Sequence, residues 1–335
     1  MNRRNIKVSV IMACHNSSAY LDEAVSSVLS QTLSDLELIL IDDCSTDNTL
    51  EIATRYQALD DRVSIISLPL NSGPATARNA GIRAARGEWL GILDSDDVAM
   101  PSRFEEQMGL AKNGQDLVII GSSSIFIDRK GHTIKEHKYP TNHEVLVKKL
   151  YSQQAFPPHS SMVYRKDVVK KLTGFNSRFT SSEDYDLWLR LSEIGEMASI
   201  DKPLVKIRKH GQNISHSEGG NLQGRFGIIA TSCHFLRIHG SPDPSTSSDE
   251  STWQEFIAWV DRRMVEVGAF ERRKAWSDAR TEYFSTANRL TGALSFGNSL
   301  LRSGHASALA WEKLFGSSLP QRLAREWMNL PCAAA

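Results

Sequence analysis

What this 335-residue sequence lacks narrows its function before any motif is read. It has no charge of one sign in excess: 39 Lys and Arg stand against 39 Asp and Glu, so nucleic acid is not an expected partner and any charge-driven site must be local. Its four cysteines, Cys14, Cys44, Cys233 and Cys332, are scattered without metal-site spacing or a disulfide framework. That favours reduced thiols in a cytoplasmic setting, with Cys14 and Cys44 as packing residues. No hydrophobic run is long enough to cross a bilayer, and Met1 to Lys7 leads into a strand without a signal-peptide core. The expectation is a cytoplasmic protein that can still touch the inner face of a membrane. Internal repeats are also missing, so the length implies one large core plus an appendage.

What is present is organised around Trp89 to Pro101. The apolar run Trp89 to Leu93 is too short for a helix, reads as a buried strand, and ends directly in Asp94, Asp96 and Asp97. Carboxylates crowded at a strand end repel one another and lose hydration, so a divalent metal or a Lys/Arg partner is expected among them. Mg2+ is typically held by one or two carboxylates plus substrate phosphates, which suits an Asp-x-Asp-Asp cluster. The alternative is a polar loop whose acids cap the helix that Pro101 starts.

The preceding chain alternates strand and helix: Val8 to Ala13, then a helix through Leu21 and Val28; Leu36 to Ile41, then Asn48 to Ala58; Val63 to Leu68, then Gly73 to Arg86. This rhythm predicts a mostly parallel sheet with helices on both faces, and ligands bind beyond the carboxyl ends of such strands. Those ends carry His15, Asp43, Asn71 to Gly73 and Asp94 to Asp97. Around Arg78 the residues are small, which allows a ligand near a helix N-terminus or, equally, close packing with a solvated Arg. Further on come a strand over Leu117 to Ser123, a hairpin over Ile125 to Ile134, and a short strand over Ser160 to Tyr164 after Pro157-Pro158-His159. A helix capped by Ser181 or Ser182 follows, with Glu183 and Asp184 in its first turn, where acids are common for dipole reasons alone. The basic segment Lys206 to Ser215 contains His210. From Leu222 the pattern is helical only: Leu222 to Ile238, a flexible linker near 240–251, then Thr252 to Glu271, Lys274 to Leu290 and His305 to Met328.

Six segments in this order resemble the nucleotide-sugar-dependent glycosyltransferases of family 2. They are Val-Ser-Val-Ile-Met-Ala-Cys-His-Asn, Ile-Asp-Asp-Cys-Ser-Thr-Asp, Asn-Ser-Gly-Pro-Ala-Thr-Ala-Arg-Asn-Ala-Gly, Leu-Asp-Ser-Asp-Asp, Gly-Phe followed by Ser-Glu-Asp-Tyr-Asp-Leu-Trp-Leu-Arg, and Arg-Lys-His. The resemblance spans roughly Lys7 to Ser215. It implies a GT-A fold: an α/β, Rossmann-like catalytic domain over 1–220, with nucleotide-sugar binding in 1–100 and acceptor binding in 101–220, followed by a helical extension over 221–335.

The same resemblance implies inverting transfer of one sugar, hexosyl or N-acetylhexosaminyl, from a UDP-sugar to the hydroxyl of a saccharide or lipid-linked saccharide. Surface polysaccharide or glycolipid assembly is the implied setting. Residue by residue, Ala13 and His15 become the base-binding wall, Asp43 the carboxylate reading the base edge, and Arg78 a nucleotide contact. Asp96 faces the ribose and metal, Asp97 is the main ligand of Mg2+ or Mn2+, Asp184 is the catalytic base, and His210 lies near the diphosphate and metal.

There are departures. The family often has proline where Met12 or Ala13 stands and tyrosine where His15 stands. The Gln-x-x-Arg-Trp signature of the membrane-embedded processive synthases is missing, since Gln321 to Trp327 has those letters at the wrong spacing. A sugar nucleotidyltransferase would want a Gly-rich, Lys- or Arg-bearing loop after the first strand, and Cys14 to Ala19 has no such residue. A non-catalytic binding module needs a broken site, whereas Asp97 and Asp184 are both present. In the tail, Leu319, Leu323 and Trp327 share a face with Arg322 and Arg325 nearby. That face suits a membrane surface, the catalytic domain or a second subunit.

Overall fold

The computed structural model describes residues 6–114, 116–210, 219–269, 271 and 318–330. The helix expected over Lys274 to Leu290, the start of the one expected from His305, the end of the basic segment after His210, and Cys332 lie outside the described residues. Contacts divide the chain into two units, Met1–Leu150 with Ala155–Asn213, and Tyr151–Gln154 with Ile214–Ala335.

In the first unit the short apolar runs are buried strands: β1 (Val8–Cys14), β2 (Leu36–Asp42), β3 (Val63–Ser67) and β4 (Trp89–Ile92). They pair in parallel in the order β3-β2-β1-β4, joined by α1 (Leu21–Leu29), α2 (Thr49–Leu59) and α3 (Pro74–Ala84). Strand side chains alternate in direction, so each face needs its own cover. Val8, Val10 and Met12 of β1 and Leu38 and Leu40 of β2 join a core with Leu21, Ala24, Val25 and Val28 of α1. On the other face, Gly81 of α3 lies against Ile11 and Ile41, so close that an added Cβ would stand 2.8 Å from Ile11 Cγ2.

The rest of this unit holds β5 (Val98–Ala99), α4 (Arg103–Ala111), β6 (Leu117–Ile127), β7 (Thr133–His137), α5 (His143–Tyr151), β8 (Val163–Arg165), α6 (Lys166–Lys171), α7 (Glu183–Ser192) and β9 (Glu196–Arg208). The sheet continues β4-β8-β6-β9-β5, with β7 also on β6; β8 is antiparallel to both its neighbours and β9 parallel to β6. Instead of ending at Ser123, β6 runs through three buried serines, and its register with β9 shifts there, opposite Pro203. Proline has no N–H for a ladder, and such irregularities are where strands tolerate it. The Asp201-Lys202-Pro203 turn letters hid β9 from the sequence reading. The helix after Pro101 starts at Arg103 behind Ser102, with β5 in between, so Asp94 to Asp97 do not cap it. Ser182, expected as a cap, takes a left-handed φ of 64° and makes no side-chain cap bond to α7.

The second unit contains α8 (Gly219–Ile238), α9 (Glu250–Glu266) and α10 (Leu319–Met328). Leu319, Leu323 and Trp327 are buried inside it, Trp327 edge-on to Phe256 at 4.9 Å. The apolar face of α10 is therefore covered by protein. The stretch expected as a flexible linker is locally built. Pro244–Thr246 form a 3-10 turn, and Asp243 caps it while pairing with Arg237. No described helix is long and apolar enough to cross a membrane.

Candidate active site

The carboxyl ends of β1 and β2 make the first part of the site. Asp43 is buried, and its two oxygens accept the backbone N–H groups of Ser72 (2.8 Å) and Gly73 (2.9 Å), which fixes the loop ahead of α3. Its carbonyl accepts from His15 Nδ1 at 2.8 Å, so Nδ1 carries the proton and Nε2 accepts from Asn71 Nδ2 at 3.2 Å. His15 stays exposed and Ala13 half-buried, one residue either side of buried Cys14. Burial pushes the Cys14 thiol far up, as befits a packing residue.

The second part joins α3 to the segment before α7. Asn79 brackets Phe175, accepting from its N–H (2.9 Å) and donating to its carbonyl (2.7 Å). Gly174 precedes it with φ 78°, a conformation that favours glycine, and a Cβ there would stand 2.3 Å from Asn79 Oδ1. Phe175 in turn presents its ring to the Arg78 guanidinium, 5.7 Å away. Arg78 is not the solvated arginine of the bland alternative. It is buried, donating through Nη1 to Glu183 and through Nη2 to Asp94 at 3.0 Å. Burial opposes its charge, but Asp94 and Glu183 outweigh that and hold its pKa above the ordinary value. For Asp94, burial is likewise outweighed by Arg78, and its carboxyl lies below the usual range. Ser160, which the sequence reading left as part of a strand, donates to Asp94 at 3.0 Å.

The third part is the rest of the acidic loop. Asp97 is buried and accepts the Arg208 N–H at 2.8 Å, while Arg208 Nε donates to the Asp96 carbonyl at 2.9 Å. Asp96 meets His210 Nε2 at 2.8 Å. Tyr20 lies against two residues of this segment: its ring stacks on His210 at 5.3 Å and faces the Arg208 guanidinium at 4.6 Å, and Glu23 pairs with Arg208. Burial, then the neighbouring acids, push Asp97 well above the carboxylate range and Asp96 above it, His210 offsetting part of the latter. Two carboxylates and an imidazole are donors of the kind a divalent cation takes. Among the described residues, however, no group of three His, Cys, Asp or Glu converges as a ready metal cage. Asp96 and His210 are brought together, and Asp97 faces Arg208.

Asp184 is the second residue of α7, next to Glu183. Burial first and Glu183 second push it up to about 7, against the pull of Arg78 and of the Tyr185 N–H, which its Oδ1 accepts at 2.7 Å. A carboxylate that titrates near neutrality in a buried site has the proton affinity of a general base. His159 was missed by sequence reasoning, where Pro157-Pro158 marked only a break. It is buried against Phe175 (5.6 Å) and Trp188 (6.1 Å), and burial pushes it down to about 3. Arg103, also missed, is fully buried and donates to the carbonyls of Ile92 and Met162, tying β4 to the start of β8 beneath the acidic loop.

Comparison with known proteins adds the family. Residues 9–173 match the family described as Glycosyl transferase family 2. The O-antigen biosynthesis glycosyltransferase WbnJ of Escherichia coli is 39% identical over 217 residues, covering 63% of this chain and 82% of WbnJ. An uncharacterized glycosyltransferase of Methanocaldococcus jannaschii is 34% identical over 204 residues, covering 60% of this chain and 70% of its own length. Among solved structures, S. aureus TarS 1-349 in complex with UDP-GlcNAc superposes with a TM-score of 0.59 at 19% identity, covering 96% of this chain and 91% of that one. The α/β architecture is therefore the GT-A arrangement with a helical extension. With the motif order, the strand-end site and these relatives in agreement, the chain belongs to glycosyl transferase family 2.

Proposed function

We propose that the protein is an inverting transferase moving one hexosyl or N-acetylhexosaminyl group from a UDP-sugar to a hydroxyl of a saccharide or lipid-linked saccharide. The observation supporting this reading is the chain of contacts from Asp184's neighbour Glu183 through Arg78 to Asp94, which ties the helix turn carrying Asp184 to the acidic loop. Ala13 and His15 form the wall for the base, Asp43 faces its edge, and Arg78 supplies positive charge toward the nucleotide. Asp43 and the loop it fixes act as one surface, since each oxygen that accepts a backbone N–H keeps a second lone pair.

Asp184 accepts the proton of the attacking hydroxyl as that oxygen bonds to the anomeric carbon. The bond from that carbon to the β-phosphate oxygen breaks on the opposite face, UDP leaves with the electron pair, and the anomeric centre inverts. Asp97, Asp96 and His210 would hold Mg2+ or Mn2+, which when bound neutralises charge building on the leaving diphosphate. The O-antigen role in the name of WbnJ supports surface polysaccharide or glycolipid assembly, at the cytoplasmic face, as the setting.

The test is a screen of UDP-glucose, UDP-galactose and their N-acetylamino counterparts for UDP release with Mn2+ present, with and without saccharide acceptors. One donor should be turned over by the wild type and by neither Asp184→Asn nor Asp97→Ala. Turnover by Asp184→Asn at the wild-type rate would remove the base assignment.

A further inference from the structure

An acid in the first turn of a helix is ordinarily explained by the helix dipole and free amides. Glu183 does not fit that explanation. Only 7% exposed, it turns to a guanidinium 105 residues away in the chain. Arg78 forks between two carboxylates from different segments, Glu183 on α7 and Asp94 on the acidic loop, with the Phe175 ring across its face. The planar fork of arginine can span two acids in this way, which a lysine ammonium cannot reproduce.

We propose that Glu183 is a positioning residue for the transfer step: through Arg78 it holds the first turn of α7, and with it Asp184, to the acidic loop. The proposal rests on Asp184 being the base. The groups facing Asp184 come from four places: Glu183 on its own helix, Arg78 on α3, Asp94 on the acidic loop and Tyr164 on β8. His159 acts on the same Arg78 and Asp94 from below. Burial keeps the Tyr164 hydroxyl protonated and the His159 ring uncharged at neutral pH, which leaves Glu183, Asp94 and Arg78 as the charges that matter. Removing the Glu183 charge takes away repulsion of the Asp184 carboxylate. It also releases one arm of Arg78, and both effects make Asp184 easier to ionise.

The experiment is the pH profile of kcat, read as UDP release from the donor found in the screen, for wild type, Glu183→Gln, Glu183→Asp and Asp184→Asn. Glu183→Gln keeps the shape and removes the charge. Its acidic limb should move down by about one pH unit, with a plateau roughly tenfold lower, because the weaker base drives proton transfer less. Glu183→Asp keeps the charge but shortens the reach to Arg78, so its plateau falls while its limb stays within roughly 0.3 pH units of wild type. A limb unmoved in Glu183→Gln, or one that moves equally in both variants, overturns the proposal. Should Glu183→Gln fail to fold, Glu183→Asp still decides, since a wild-type plateau there denies the positioning role. Activity surviving in Asp184→Asn is a separate outcome that sinks the base assignment itself.

Discussion

Replacing Asp184 with Asn should remove turnover and at the same time make the protein more stable at alkaline pH. The Asp184 carboxyl titrates near 3.8 in an unfolded chain and at about 7 in the folded protein. Its folded-state pKa is raised, so its contribution to stability is intact below about 3.8, declines as pH rises, and is fully lost above about 7. Three pH units at about 1.4 kcal/mol each set a ceiling of about 4 kcal/mol on that cost. The side chain keeps some contact with solvent, which screens the charge, and about 2 kcal/mol is the working figure. Asn is uncharged at every pH and similar in size. The variant should therefore melt roughly 4 to 8 °C higher than wild type at pH 8, as expected for a unit of about 200 residues, with the gain vanishing near pH 4. Loss of the general base should lower kcat roughly 100-fold to 10,000-fold over the same range. Melting curves at pH 4, 6 and 8 beside transfer rates at saturating donor make the assay. A variant that melts at or below the wild-type temperature at pH 8 would show that Asp184 bears no such burden, and the argument from its burial beside Glu183 would be wrong.

Three further outcomes are expected. Asp97→Ala should abolish the Mn2+-dependent part of UDP affinity in calorimetry, and unchanged affinity would sink the metal assignment. Asp43→Ala removes a charged acceptor from two backbone N–H groups and should weaken UDP binding without metal by about 1.5 to 3 kcal/mol, with a shift of a few tenths returning Asp43 to a loop-fixing role only. Gly174→Ala forces a Cβ into Asn79 at a φ of 78° and should cost about 3 kcal/mol in urea unfolding; a loss below about 1 kcal/mol would mean that the Asn79 bracket yields easily.

The parallel half of the sheet was legible because its strands are short uniform apolar runs and its helices carry clean three-to-four spacing. From β5 onward the helix after Pro101, the hairpin, the strand at Tyr164 and α7 were still legible, but the length of β6 and the whole of β9 were not, for a definite reason. Ser122, Ser123 and Ser124 are polar letters in a buried strand, and Asp201-Lys202-Pro203 are turn letters inside another. Both depend on partners far away in the chain. In the site, the residues that end strands could be named from the sequence because six segments in family order pointed to them, although a carboxylate after an apolar run also reads as a helix cap. Their partners could not. Nothing local in Tyr20 or Glu23 announces Arg208, and nothing in His159 or Ser160 announces Asp94, because those pairings arise only when separate strand ends meet. Glu183 was visible only as an acid in the first turn of a helix, and its hold on Arg78 needed the structure.

The Asn79 bracket around Phe175 carries a consequence for synthesis of the chain. It closes a loop of 96 residues, and the contact between Asp97 and the Arg208 N–H closes one of 111. Each closure must be completed before its enthalpy is realised, and such non-local contacts form late. A ribosome-bound chain that has emerged only through α4 already possesses β1 to β4 and every nucleotide-side acid, yet has neither Phe175 nor Arg208 to hold them. On the proposed function, donor binding and turnover therefore arrive no earlier than the synthesis of β9, because the acids of the first four strand ends are held in place only when Phe175 and Arg208 have joined them.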